Sequence, residues 1–248
     1  DLRMSRGLGD VYKRQILSRL LFKCMTELTG ISAKWGVITG IRPVKRVNTF
    51  ISQGMNKEEI YATLQKDYLV SPEKCDIAYM TAINQEKIIN KLNAKTFSLY
   101  ISIPFCPTRC SYCSFVSQSV EGCKKLIPEY LDKLCREIEY TAKLVNKIGL
   151  SLDTVYFGGG TPTTLEADQL CRLMDTIALS FDMSGVKEYT VEAGRPDTIT
   201  EEKLIALKSK GCTRLSVNPQ SLNDSVLETI GRKHTSCLLY TSPSPRDM

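Results

Sequence analysis

Three thiols at a CxxxCxxC spacing, Cys106-Pro-Thr-Arg-Cys110-Ser-Tyr-Cys113, follow directly on a run that reads as a β-strand, residues 97–103. In that run Phe97, Leu99, Ile101 and Ile103 alternate with Ser98, Tyr100 and Ser102, the period of a strand with two different faces. Three thiolates on one short loop can hold three irons of a cuboidal [4Fe–4S] cluster, because thiolate is the ligand such clusters use. The fourth iron then has no partner in the loop and is left to a small molecule. An electron-carrying ferredoxin would close that position with a fourth cysteine. A structural zinc site would want four ligands, usually paired as CxxC. The plain alternative is three unrelated structural cysteines, and free cysteines of that kind are usually scattered and buried.

After the triad the chain alternates between the two periods. A helical stripe over 127–148 (Leu131, Leu134, Ile138, Val145, Ile148) leads to a strand at 154–157 and a helix at 165–181. A strand at 188–192, a helix at 201–210, a strand at 214–217 and a helix at 224–230 complete the readable part. Repeated βα units imply an α/β fold with parallel strands and right-handed crossovers. Ligands of such sheets collect at the carboxyl ends of the strands. There the sequence places the cysteine loop, then Gly158-Gly159-Gly160-Thr161-Pro162, then Glu192, then Gln220. Glycines let backbone approach a ligand and offer it N–H groups, although a glycine run taken alone is more often a tight turn. Glu192 could accept hydrogen bonds from a cationic ligand; its plain reading is a salt-bridged or helix-capping glutamate.

Residues 16–95 read as a separate helical region. Ile16, Leu17, Leu20, Leu21, Cys24 and Leu28 recur at helical spacing, with Gly30 as a stop. Asn56 with Glu59 forms a capping-box signature, and Ser71-Pro72 opens a further helix. Between them, 35–45 reads as a turn and a helix start at Pro43. Segments 1–15 and 236–248 carry no continuing pattern and resemble non-native tails, so the fold is expected in 16–235.

Composition narrows the class. Of 248 residues, 42% are hydrophobic and 24% charged, ordinary values for a globular chain with a real core. No stretch approaches the ~20 apolar residues of a membrane span. Ten cysteines without small-domain spacing point to a reducing cytoplasm, the seven outside the triad serving as small core hydrophobes. The net charge of +6 is not gathered into a basic run, so no nucleic-acid partner is implied. His234 is the single histidine, which leaves little room for histidine-based chemistry; it is expected to be exposed past a helix end.

The cysteine loop, with the aromatic Tyr112 before its third thiol, resembles that of radical S-adenosylmethionine (SAM) enzymes, in which the open iron chelates that cofactor. The glycine loop resembles the same family's motif for the cofactor's methionine end. Residues 35–45 are similar to the N-terminal signature of the HemZ-type coproporphyrinogen dehydrogenases. This resemblance, over about 16–235, implies a partial (βα)6 open barrel with four of its βα units, preceded by a helical region. It implies a [4Fe–4S] cluster on Cys106, Cys110 and Cys113, with Tyr112 against the adenine. It implies SAM contacts at Tyr100, Gly159, Gly160, Thr161, Glu192, Gln220 and Arg232. The implied activity is oxidative decarboxylation of coproporphyrinogen III propionates to vinyls, with electrons from a reductant such as flavodoxin or ferredoxin. The implied alternatives are a haem-binding chaperone on the same core or a plain iron–sulfur carrier. Phe115 stands where better-known members carry a further cysteine, a departure that bears on the decarboxylase reading.

Overall fold

The computed structural model describes residues 8–38, 40, 42–89 and 93–241. The chain divides into two compact units, up to residue 92 and from residue 93 onward.

The N-terminal unit contains α1 (Leu8–Thr29), α2 (Val44–Ser52), α3 (Lys57–Tyr68) and α4 (Pro72–Ile89). Residues 8–15, which show no continuing sequence pattern, form the first turns of α1, while 1–7 lie outside the described residues. The apolar stripe of α1, including Leu17, Leu21 and Leu28, is exposed. Pro43 caps α2, as the sequence implies. At the start of α3 the Asn56 side chain accepts the Glu59 N–H and the Glu59 carboxylate accepts the Asn56 N–H, both at 2.9 Å. That reciprocal pair satisfies two donors a helix start otherwise leaves open. Val47, Phe50, Ile60, Leu64, Cys75, Ala78 and Ala82 form this unit's core. Arg42 and Lys45 are exposed at the start of α2, and Thr39 and Ile41 of the same segment lie outside the described residues.

The second unit alternates as the sequence predicts. It runs β1 (Thr96–Ile103), β2 (Phe105–Cys106), β3 (Gln118–Ser119), α5 (Val120–Cys123), α6 (Ile127–Ile148), β4 (Ser151–Gly159) and α7 (Ala167–Ser180). There follow β5 (Glu188–Glu192), α8 (Glu201–Ser209), β6 (Arg214–Ser216), α9 (Asp224–Thr229) and α10 (Ser236–Thr241). The main sheet has the order β1-β4-β5-β6, every pair parallel, and β2 and β3 make a small parallel ladder of their own. The short elements β2, β3 and α5 form within 105–123, where the sequence reading places no strand or helix, and two further elements depart from it. β4 is longer than 154–157, because Gly158 and Gly159 pair with Ser102 and Ile103 and a ladder needs backbone, not side chains. α10 occupies part of 236–248, where no pattern is visible, and 242–248 lie outside the described residues.

One face of the sheet is apolar. Ile101, Ile103, Val155, Phe157 and Val191 pack there with Leu131, Leu134 and Ile138 of α6, Leu170, Leu173 and Ile177 of α7, and Leu207 of α8. Phe157, Leu173 and Ile177 are completely buried, each contributing roughly 1.5–3 kcal/mol through removal from water. The other face is polar. Register sets Tyr100 beside Tyr156, Tyr156 beside Thr190 and Thr190 beside Arg214, one line across all four strands.

Three burial expectations are corrected. Cys24 and Cys237 are exposed rather than core residues, whereas Cys75 and Cys135 are buried. His234 is 4% exposed, because the chain turns inward after α9 and buries it close to Arg232, Asp197 and Arg195. Among the described residues no helix is long and apolar enough to cross a membrane.

Candidate active site

The small ladder of β2 and β3 fixes the first cysteine. Cys106 ends β2, and the Thr161 hydroxyl donates to its sulfur at 3.4 Å. Beyond it the loop is tied to the segment after α9. The Thr108 hydroxyl donates to the Gly231 carbonyl at 2.9 Å and the Ser111 N–H to the Ile230 carbonyl at 3.1 Å. The Cys113 N–H closes a turn on the Cys110 carbonyl at 3.1 Å. The three thiols thereby line one cleft at the carboxyl ends of the strands.

The glycine run that ends β4 is close-packed for a different reason from the one its sequence suggests. A Cβ at Gly160 would stand 2.7 Å from the Phe105 carbonyl oxygen and 3.0 Å from the Cys106 sulfur. The Gly160 N–H donates to the Ile103 carbonyl and the Thr161 N–H to the Phe105 carbonyl, both at 2.8 Å. These N–H groups hold the glycine loop to the cysteine strand and are not donors to a ligand.

Glu192, at the end of β5, accepts a hydrogen bond from the Tyr156 phenol. Burial first, then that bond and the Glu192 charge, push the Tyr156 phenol up to about 12. Tyr100 stacks on Tyr156 with ring centroids 5.7 Å apart and planes 11° apart. Its own phenol is raised by burial and by the Glu192 charge, against a Gly159 backbone hydrogen bond that lowers it. Tyr100 therefore reaches the site through Tyr156 and Glu192 and is the one predicted residue that does not line the cleft.

The remaining predicted residues converge there. Gln220 lines the cleft with φ of +63°, a left-handed backbone that costs a non-glycine residue on the order of 1–3 kcal/mol and is often held at ligand sites. Arg232 is 8% exposed, and its Nη1 donates to the carbonyls of Gly194 at 3.0 Å and Asn218 at 2.8 Å. Its Nε is buried with no hydrogen-bond partner among the described residues, a cost that an acceptor on a bound ligand would remove. Tyr112 also lines the cleft; its phenol is raised mainly by partial burial, with Arg232 opposing the shift.

Sequence reasoning missed Arg195. It lies between β5 and α8, is 2% exposed, and its guanidinium reaches across to the cysteine loop. Its partners there lie 85 and 87 positions away, so no local pattern signals the contact.

The donor set fits an iron–sulfur cluster with a small-molecule ligand. Three thiols line one cleft together with a carboxylate, an unsatisfied guanidinium nitrogen and a left-handed glutamine. Among the described residues no three His, Cys, Asp or Glu side chains gather as a single-ion site.

The family model of the Radical SAM superfamily matches residues 100–237. The chain is 39% identical over 225 residues to the oxygen-independent coproporphyrinogen-III oxidase-like protein HemZ of Bacillus subtilis, covering 90% of this chain and 45% of that protein. It is 41% identical over 147 residues to the heme chaperone HemW of the same organism, covering 58% and 37%. Among solved structures it is similar to coproporphyrinogen III oxidase HemN of Escherichia coli, described as a radical SAM enzyme. The TM-score is 0.53 and the identity 29%, over 65% of this chain and 36% of that one. The chain thus spans less than half the length of each of these relatives.

Proposed function

Because the chain belongs to the radical SAM superfamily, we propose that it acts in porphyrin biosynthesis, oxidatively decarboxylating coproporphyrinogen III propionates to vinyl groups. The supporting observation is convergence: every residue singled out for the cofactors except Tyr100 lines one cleft at the carboxyl ends of four parallel strands. In this reading Cys106, Cys110 and Cys113 hold a [4Fe–4S] cluster and leave one iron for SAM. An electron donor such as a flavodoxin or ferredoxin would reduce the cluster, which together with SAM would supply the hydrogen-atom abstraction.

The chain's own residues bind and orient. Glu192 would accept from the cofactor's ammonium or ribose hydroxyls, held in place by the Tyr156 phenol. Gly159, Gly160 and Thr161, which line the cleft, would lie along the methionine end of the cofactor. Arg232 Nε would donate to a ligand oxygen, and Tyr112 would lie against the adenine. Reducing, cytoplasmic conditions suit such a site.

The similarity to HemZ reaches into the N-terminal unit, since it covers 90% of the chain, and this favours the decarboxylase. Phe115 and the HemW similarity over 147 residues keep a haem-binding chaperone as the second reading. An anaerobic assay of the reconstituted protein with coproporphyrinogen III, SAM and a reductant separates them. Release of carbon dioxide is expected. Stoichiometric haem binding without turnover would instead identify the chaperone.

A further inference from the structure

We propose that Arg195 is a charge-tuning residue of the cluster: its buried guanidinium, held against the cysteine loop, raises the cluster's reduction potential. This rests on the reading of Cys106, Cys110 and Cys113 as cluster ligands. Arg195 leaves the end of β5 two residues after Ala193 and is 2% exposed. Its Nη2 donates to the Thr108 hydroxyl at 3.0 Å and its Nη1 to the Thr108 carbonyl at 3.4 Å. Nη1 also stands 3.8 Å from the Cys110 sulfur, a long N–H···S contact. Asp197 holds the other edge of the fork, Oδ1 at 3.2 Å from Nε and Oδ2 at 3.4 Å from Nη2.

A permanent cation is costly to bury unless something nearby is negative. Asp197, about a quarter exposed, supplies part of that charge. The thiolate of Cys110 supplies more once it ligates iron. Hydrogen bonds to cluster sulfurs and net charge beside the cluster are the protein's means of setting its potential. One-electron reduction adds a negative charge, which a cation at this distance stabilises. Removing the cation therefore moves the midpoint down, and removing its counter-charge moves it up. A residue that only staples two loops together would move neither.

The experiment is an EPR-monitored redox titration of the anaerobically reconstituted protein, with iron and sulfide determined for every sample. Arg195→Gln keeps hydrogen-bond donors but not the charge, and is expected to shift the one-electron equilibrium at least tenfold toward the oxidised cluster, 59 mV or more. Arg195→Lys keeps the charge and should stay within threefold of wild type. Asp197→Asn should shift in the opposite direction. A fully loaded Arg195→Gln protein within threefold of wild type overturns the proposal, as do equal shifts in the Gln and Lys variants. If neither Arg195 variant loads, an unmoved or lowered midpoint in Asp197→Asn overturns it. A wild-type protein that takes up no iron overturns the underlying cluster reading instead, which the metal analysis tells apart from an unmoved potential.

Discussion

At Gly159 φ is +102°, and an added Cβ would stand 2.8 Å from the Ser102 hydroxyl oxygen and 3.0 Å from the Ile103 nitrogen. A side chain there meets β1 before it meets anything in the cleft. Gly159→Val is accordingly expected to destabilise the sheet by about 2–3 kcal/mol or more, lowering Tm by roughly 5–10 °C. Unchanged Tm with lost SAM affinity would show that the side chain points at the cofactor instead. Glu192 is different, because its carboxylate lines the cleft and accepts a hydrogen bond from the Tyr156 phenol. Glu192→Ala should leave the cluster absorbance intact and weaken SAM binding by about 1–3 kcal/mol, on the order of 10–100-fold in Kd. Tyr156→Phe removes only the group that orients the carboxylate and should cost about 0.5–1.5 kcal/mol. Equal affinity in wild type and Glu192→Ala, measured by calorimetry under anaerobic conditions, would make this carboxylate structural.

The elements show which parts of the fold a sequence can declare. Strand β1, helix α6 and strand β5 follow from periods of 2 and 3.6 that any short window reveals, and α3 follows from a capping box complete within four residues. The site is legible to the extent that its residues sit at strand ends in recognisable strings, as the thiols, the glycines and Glu192 do. Its remaining members are set by contacts between distant elements. Arg195 meets Thr108 and Cys110, Tyr156 meets Glu192 across neighbouring strands, and His234 is buried by packing its own segment does not encode. The glycine loop was readable as a tight approach but not as to what it approaches, since that partner is the carbonyl row of 103 and 105. The cysteine loop carries its own test at this scale. It is fixed at Thr108 and Ser111 by bonds that do not pass through the thiols. Alanine at Cys106, Cys110 or Cys113 should thus abolish the cluster's visible absorbance and bound iron while leaving far-ultraviolet circular dichroism and Tm of the cluster-free protein within experimental scatter. Full iron and sulfide in the triple-alanine variant would sink the ligand assignment.

For the whole molecule, the two faces of the sheet decide between architectures. A parallel sheet covered by helices on both sides is apolar on both faces. Here α6, α7 and α8 share the apolar face, while the other carries Ser98 bonded to Thr154 at 2.8 Å, Tyr100 stacked on Tyr156, and Arg214 paired with Glu188 at 3.3 Å. A face of that composition is built as the wall of a polar interior, as in an open barrel, and the cleft lies at its carboxyl-end rim. All three thiols and every residue lining the cleft lie beyond residue 93, and the second unit has its own core around Phe157, Leu173 and Ile177. The helical unit's core, around Ile60, Leu64 and Cys75, draws on none of these residues. A chain that starts at Asn93 should therefore take up the same iron and sulfide on anaerobic reconstitution as the 248-residue chain, and bind SAM with affinity within about threefold of it, a difference under ~0.7 kcal/mol. Iron content and calorimetric affinity of the two chains, prepared side by side, decide the matter. Loss of the cluster from the shorter chain, with its circular dichroism retained, would mean that residues before 93 complete the cofactor site.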